Sequence, residues 1–237
     1  MQLLAKFEEV FAGQQYRHRD STIGDKLCFF VFEDLYSLGR SASLVRGVEN
    51  RDVVANTANR VTGKPSRRGD GTLGERVVSQ DFRVKKKFDV ARGSTADVRI
   101  GVEVKLPSAA KIKQIGRVIN DLRDQADQFR DVTSDAISLA IVGVNHAEAY
   151  RSYEGERFYD KPGRTGPAPA DEAEETIRRL IDGSSRGAAS AYDEFLILDF
   201  VATNRAPYPF AWVDRKRAAD EYAAALQRIS SLYEKRF

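Results

Sequence analysis

Apolar residues recur along this chain at two different periods, and the change from one to the other organises it. Residues 1–11 form an acidic amphipathic stretch. Over 22–38, Ile23, Leu27, Phe30, Val31, Leu35 and Leu38 recur at helical spacing, which predicts a buried helix. Val54, Ala58 and Val61 share one stripe of a second predicted helix over 48–61. Residues 63–75, rich in glycine and arginine, predict a flexible turn. From Asp81 the period shortens to two. Residues 81–90 predict a strand carrying Lys85, Lys86 and Lys87, and residues 95–106 predict a β-hairpin. Ser108 is suited to cap a helix over 108–131, in which Ile112, Ile115, Ile119, Leu122, Ala126 and Phe129 form one apolar stripe. The run Ile137–Val144 is apolar throughout and predicts a strand covered on both faces. A polar, Gly/Pro-rich insertion over 155–170, a helix over 171–182, a strand over 195–202 and a helix from Arg215 complete the chain. Helices interleaved with apolar strands predict an α/β fold with a mixed central sheet flanked by helices. One domain is expected over 1–237, with its core at about 48–144 plus 195–202. The N-terminal helices (1–47) and the C-terminal helices are elaborations.

At 237 residues with 42% hydrophobic content, the chain can bury a substantial core. No apolar run approaches the roughly 18 residues that span a bilayer, and the N-terminal stretch is not a secretory signal. A lone Cys28 excludes a disulfide framework and a cysteine-rich zinc site. His18 and His146 are too few for a multi-histidine metal site. These features point to a soluble, cytoplasmic globular protein without a membrane partner. The net charge is only +3, yet between Arg60 and Arg92 ten basic residues face four acidic ones, a local +6. Such a field suits a phosphate backbone, and it also suits an ordinary solvated loop.

The densest chemistry lies between Asp97 and Lys105. A three-residue loop of Arg99, Ile100 and Gly101 would close a hairpin, setting Asp97 opposite Glu103 with β-carbons roughly 5 Å apart. Period two then puts Lys105 on the face of Glu103. Adjacent carboxylates repel unless a cation lies between them. Oxygen donors without histidine or cysteine suit a hard ion, Mg²⁺ first and Mn²⁺ second. The alternative is a solvated face with an ordinary lysine–glutamate pair.

Asp97 followed by Glu103-Val104-Lys105 resembles the PD-(D/E)XK nuclease superfamily, the restriction-endonuclease-like proteins, over roughly 48–144. Ala96 stands where the family often has proline. The resemblance implies a core of helix, three antiparallel strands, helix and strand, and a Mg²⁺-dependent endonuclease hydrolysing DNA in restriction, phage defence or repair. Asp97, Glu103 and the Val104 carbonyl would hold the metal, and Lys105 would position the attacking water. The family often adds a carboxylate from its first core helix, for which Glu49 is the candidate and Glu75 the second. Gln125 matches the glutamine of a family Gln-x-x-x-Tyr motif, with Phe129 in place of the tyrosine. Arg67, Arg68, Lys85, Lys111, Lys113 and Arg117 are candidate DNA-backbone contacts. RNA remains an open substrate, and a homodimer would supply two active sites for two strands. The alternatives are a non-catalytic nucleic-acid-binding or interaction module that keeps the fold, and a structural domain without a nucleic-acid partner. Gly69-Asp-Gly71-Thr-Leu-Gly74 has the spacing of a dinucleotide loop, but no predicted strand precedes it, so it is read as a turn.

Overall fold

The computed structural model describes residues 1–17, 20–56, 70–106, 115–154, 157–161, 175, 178 and 192–237. Three helices come first: α1 (Gln2–Phe11), α2 (Ser21–Leu38) and α3 (Ala42–Glu49). Strands β1 (Val53–Asn56), β2 (Gly71–Glu75), β3 (Arg92–Gly93) and β4 (Ile100–Lys105) follow, then α4 (Ile115–Val132) and β5 (Ile137–Asn145). A ribbon of β6 (Tyr150–Glu154) and β7 (Arg157–Lys161) precedes β8 (Glu194–Ala202), β9 (Phe210–Trp212) and the terminal helix α5 (Arg215–Arg236). Among the described residues, seven strands make one mixed sheet in the order β3-β1-β2-β4-β5-β8-β9, and β6 pairs with β7 in a separate ribbon. Strand β2 runs antiparallel to both β1 and β4, whereas β4, β5 and β8 run parallel. The molecule is thus α/β, with a mixed sheet flanked by helices. Among the described residues, no helix is long and apolar enough to cross a membrane.

Helix α2 matches its predicted span because its ends are written in the sequence. Asp20 accepts a hydrogen bond from the Thr22 amide at the start, and Gly39 takes a left-handed φ of 66° at the end. Phe7, Leu27, Val31, Phe32 and Leu35 meet Val102, Val104, Leu139, Ile141 and Leu198 in the main core, which α5 joins through Tyr222, Ile229 and Tyr233. On the other face Leu122 and Ala126 of α4 cover Ala140, Val142 and Ile197. The buried Asp34 carboxylate of α2 accepts from the Gln2 and Leu3 amides and from the Tyr222 hydroxyl, tying α1 and α5 to α2.

Several predicted elements differ. The helix over 48–61 is replaced by the end of α3 and by β1, with 57–61 outside the described residues. Arg51 at φ 64° breaks the helix, and the valines that follow are buried on both faces, which favours a strand. Within 63–75, residues 71–75 are β2 rather than a turn. The charged run 81–90 makes only an isolated bridge, Arg83 to Arg92, and is otherwise loop and turn. The 95–106 hairpin does not form. Its second arm is β4, which pairs with β2, and Gly101 lies inside that strand opposite Thr72. A methyl group on Gly101 would come within 2.5 Å of the Phe129 ring, so glycine here admits α4 onto the sheet. The start of the 108–131 helix lies outside the described residues, as do the helix over 171–182, apart from 175 and 178, and most of the 155–170 insertion. Residues 157–161 of that insertion form β7.

Gly101→Ala is accordingly expected to destabilise the fold by about 1–3 kcal/mol through overpacking against Phe129, measured by urea unfolding. Unchanged stability would show that the ring does not press on β4.

Candidate active site

The pairing of β2 with β4 brings together residues that are remote in sequence. Gly71 lies opposite Val102, so one further step sets Asp70 opposite Glu103. Three hydrogen bonds fix the junction. The Asp70 amide donates to Glu103 Oε2 at 3.3 Å, the Val104 amide donates to Asp70 Oδ2 at 2.8 Å, and Lys105 Nζ donates to Glu103 Oε1 at 2.5 Å. Alternation along β4 sends Glu103 and Lys105 to the α4 face and Val102 and Val104 into the main core. Glu103 is 3% exposed, whereas the Lys105 side chain keeps 30%.

Two helices close on this junction. A methyl group on Gly24, in the first turn of α2, would fall 2.5 Å from Asp70 Cγ, so the helix backbone lies directly against that carboxyl. On α4, Phe129 stands over Gly101 and the charge of Asp121 reaches Glu103 and Lys105. Helix and strand therefore run antiparallel. Eight helical residues at about 1.5 Å and four strand residues at about 3.3 Å cover nearly the same length. Gln125, midway between Phe129 and Asp121 and 6% exposed, comes level with Glu103.

Burial pushes the Asp70 carboxyl up to about 7; the neighbouring Glu103 charge adds to that push, and the Val104 amide and Lys105 oppose it. Burial raises Glu103 as well, against the pull of Lys105. At Lys105 burial works against the charge, but Glu103, Asp70 and Asp121 outweigh it and hold the ammonium above its usual range. The Cys28 thiol, fully buried beside the cluster, is pushed well up by burial and then by Asp70, Glu103 and Asp25. Asp25 also raises Asp70. The site thus joins a buried Glu103 and a partly buried Asp70 with a protonated amine.

Of the residues singled out in the sequence, Glu103, Lys105 and Val104 meet here, and Gln125 lies alongside. Asp97 does not. Its Oδ1 accepts from the Glu75 amide and its Oδ2 from Arg99 Nε, which places it at the far end of β2. Glu75 lies five positions along from Asp70, roughly 16 Å at strand rise. Arg99 also bonds Glu75 and the Tyr233 hydroxyl, so Asp97 belongs to a network tying the sheet to α5. Glu49 is exposed at the C-terminal end of α3, and Glu75 pairs with Arg99. Lys85 is exposed in the 81–90 loop. Arg117 falls in the first turn of α4, while Arg67, Arg68, Lys111 and Lys113 lie outside the described residues.

Sequence reading missed Asp70, Asp25 and Tyr192. The Tyr192 hydroxyl bonds the Leu122 carbonyl, and burial, then Glu103 and Asp70, raise its phenol. For Asp70 a signal existed in the Thr72-Leu73 pair between glycines, a short strand with Asp70 at its head. Among the described residues, no group of three or more His, Cys, Asp or Glu forms a ready-made metal cage. No family model, curated protein or solved structure matches the chain.

The raised Asp70 carboxyl has a definite consequence for stability. Its folded value near 7 lies above the unfolded value near 3.8, so ionisation opposes folding. Stability from this group is fullest below about pH 4, falls as the pH rises to about 7, and is flat above. Asp70→Asn removes that loss and is expected to stabilise the protein at pH 8 by no more than about 4 kcal/mol. The check is chemical denaturation at pH 4 and pH 8, where equal effects at both would show that Asp70 is not a strained acid.

Proposed function

We propose that this chain is a metal-dependent nuclease hydrolysing DNA phosphodiesters, with Asp70 in the role expected of Asp97. The observation that carries the reading is the β2–β4 register, which sets the buried Glu103 and the partly buried Asp70 beside a protonated lysine. The order β1, β2, β4, α4, β5, with three antiparallel strands and then a parallel one across a helix, agrees with a restriction-endonuclease-like core. The donor set fits a hard divalent cation. Asp70 and Glu103 offer carboxylate oxygens, and the Val104 carbonyl leaves β4 on the same side as its amide, toward Asp70. No imidazole is among these donors, and Cys28 is held as a thiol.

Bound Mg²⁺, or Mn²⁺, would polarise a phosphate oxygen and acidify a water. The chain's own groups do the rest. Lys105 is held protonated, so it acts as a donor, orienting the water and neutralising charge on the phosphate rather than removing a proton. Glu103 Oε1 holds that ammonium in place. Asp25 of α2 takes the part of the helix carboxylate, and Gln125 lines the α4 side.

Duplex DNA incubated with Mg²⁺, Mn²⁺ or EDTA tests this. Metal-dependent cleavage is expected, reduced at least ~100-fold in Lys105→Ala and Asp70→Asn and retained in Asp97→Ala. Cleavage surviving Asp70→Asn but lost in Asp97→Ala would reverse the assignment. Binding without cleavage in any metal would favour a non-catalytic module.

A further inference from the structure

The segment between β2 and β3 is held rigidly at both ends and exposed between them. At its start the Arg76 amide donates to the Asp52 carbonyl, Arg76 Nε donates to the Arg51 carbonyl, and the Val77 amide donates to the Ser94 carbonyl. At its end the buried Glu33 carboxylate accepts from the Asp89 and Val90 amides at 3.1 and 2.9 Å. The Arg92 guanidinium stacks 3.5 Å over Phe29, and Phe88 packs on Phe29 and Phe30. In between, Arg83 and Arg92 exchange backbone hydrogen bonds, which extends the sheet edge outward.

The exposed stretch is predominantly basic. From Arg76 to Lys87 there are five basic residues and one acidic residue. Lys85, Lys86 and Lys87 all face solvent, and Phe82 and Val84 stay 39% and 49% exposed. Lys87 sits in the left-handed region at φ 73°. A side chain there is conformationally unfavourable, and glycine would fit without that cost. A lysine displayed at such a position, on a loop fixed at both ends, is a charge maintained against the local preference of the backbone.

We infer that residues 76–92 form an arm that grips the phosphate backbone of duplex DNA through Lys85, Lys86 and Lys87, with Phe82 and Val84 as apolar contacts. A polyanion follows from the charge, and its identity as DNA rests on the nuclease reading. The sheet edge at β3 lies three strands from β4, about 14 Å at the usual strand spacing. That lateral separation is about four base pairs of duplex. An anionic membrane fits less well, because the exposed apolar side chains are scattered along an extended segment and form no continuous face.

The test is binding of fluorescein-labelled duplex DNA in EDTA, from 50 to 200 mM salt. Lys87→Gly is expected to melt no lower than wild type, to bind more weakly and to reduce the slope of log affinity against log salt by about 0.9. The variant combining Lys85→Gln, Lys86→Gln and Lys87→Gly should reduce it by about 2.7, so wild type loses about 40-fold more affinity than the variant over that range. Unchanged affinity and slope in the triple variant overturn the arm while leaving wild-type cleavage, and so the nuclease reading, intact. Arm-dependent binding without metal-dependent cleavage removes the nuclease reading and keeps the arm. Binding to phosphatidylserine vesicles but not to duplex DNA also overturns the proposal.

Discussion

The register between β2 and β4 is the constraint on which this structure depends. Setting Gly71 opposite Val102 forces Asp70 and Glu103 together, Glu103 buried and Asp70 partly removed from water. Taking carboxylates out of water beside one another is unfavourable unless protons, amines or cations compensate. Here a proton on Asp70, the Val104 amide and the Lys105 ammonium share that task. A fold selected for stability alone would have little reason to assemble such a cluster, and perturbed acids of this kind concentrate at working sites.

Packing elsewhere serves that junction. Helix α2 brings the bare backbone of Gly24 against Asp70, and α4 uses Phe129 over Gly101 to fix its position along β4. The parallel strands β5 and β8, apolar over nearly their whole length, hold β4 from the other side. Ion pairs at the C-terminal helix, Arg228 with Glu194 and Arg236 with Asp193, anchor α5 to the start of β8. Glu103 therefore sits on a central strand, where positional precision is greatest, and Asp70 immediately precedes the strand paired with it.

Long periodic elements were legible from sequence: α2, the body of α4, β5, β8 and α5 all lie where apolar spacing and caps predict them. The short strands were not. β2 is three-fifths glycine and threonine, with no alternating pattern, and its partner is recognisable only after folding. Local turn rules favour pairing 95–98 with 102–106, because the chemistry of a three-residue loop fits Arg99-Ile-Gly101. The partner chosen by the fold begins 29 residues upstream of Ile100, at Gly71. Glu103, Val104 and Lys105 survive this change because they lie within one strand, whose alternation does not depend on its neighbour. Asp97 depends on the neighbour, and the network of Arg99, Glu75 and Tyr233 accounts for it instead.

On the nuclease reading we propose, the acidic junction between β2 and β4 binds one divalent cation. Anomalous difference density from crystals of the protein soaked in Mn²⁺ above pH 7 tests it most directly. A peak is expected beside the carboxylates of Asp70 and Glu103 and the Val104 carbonyl. Density without a peak there, or with its peak beside Asp97 and Glu75, would contradict it.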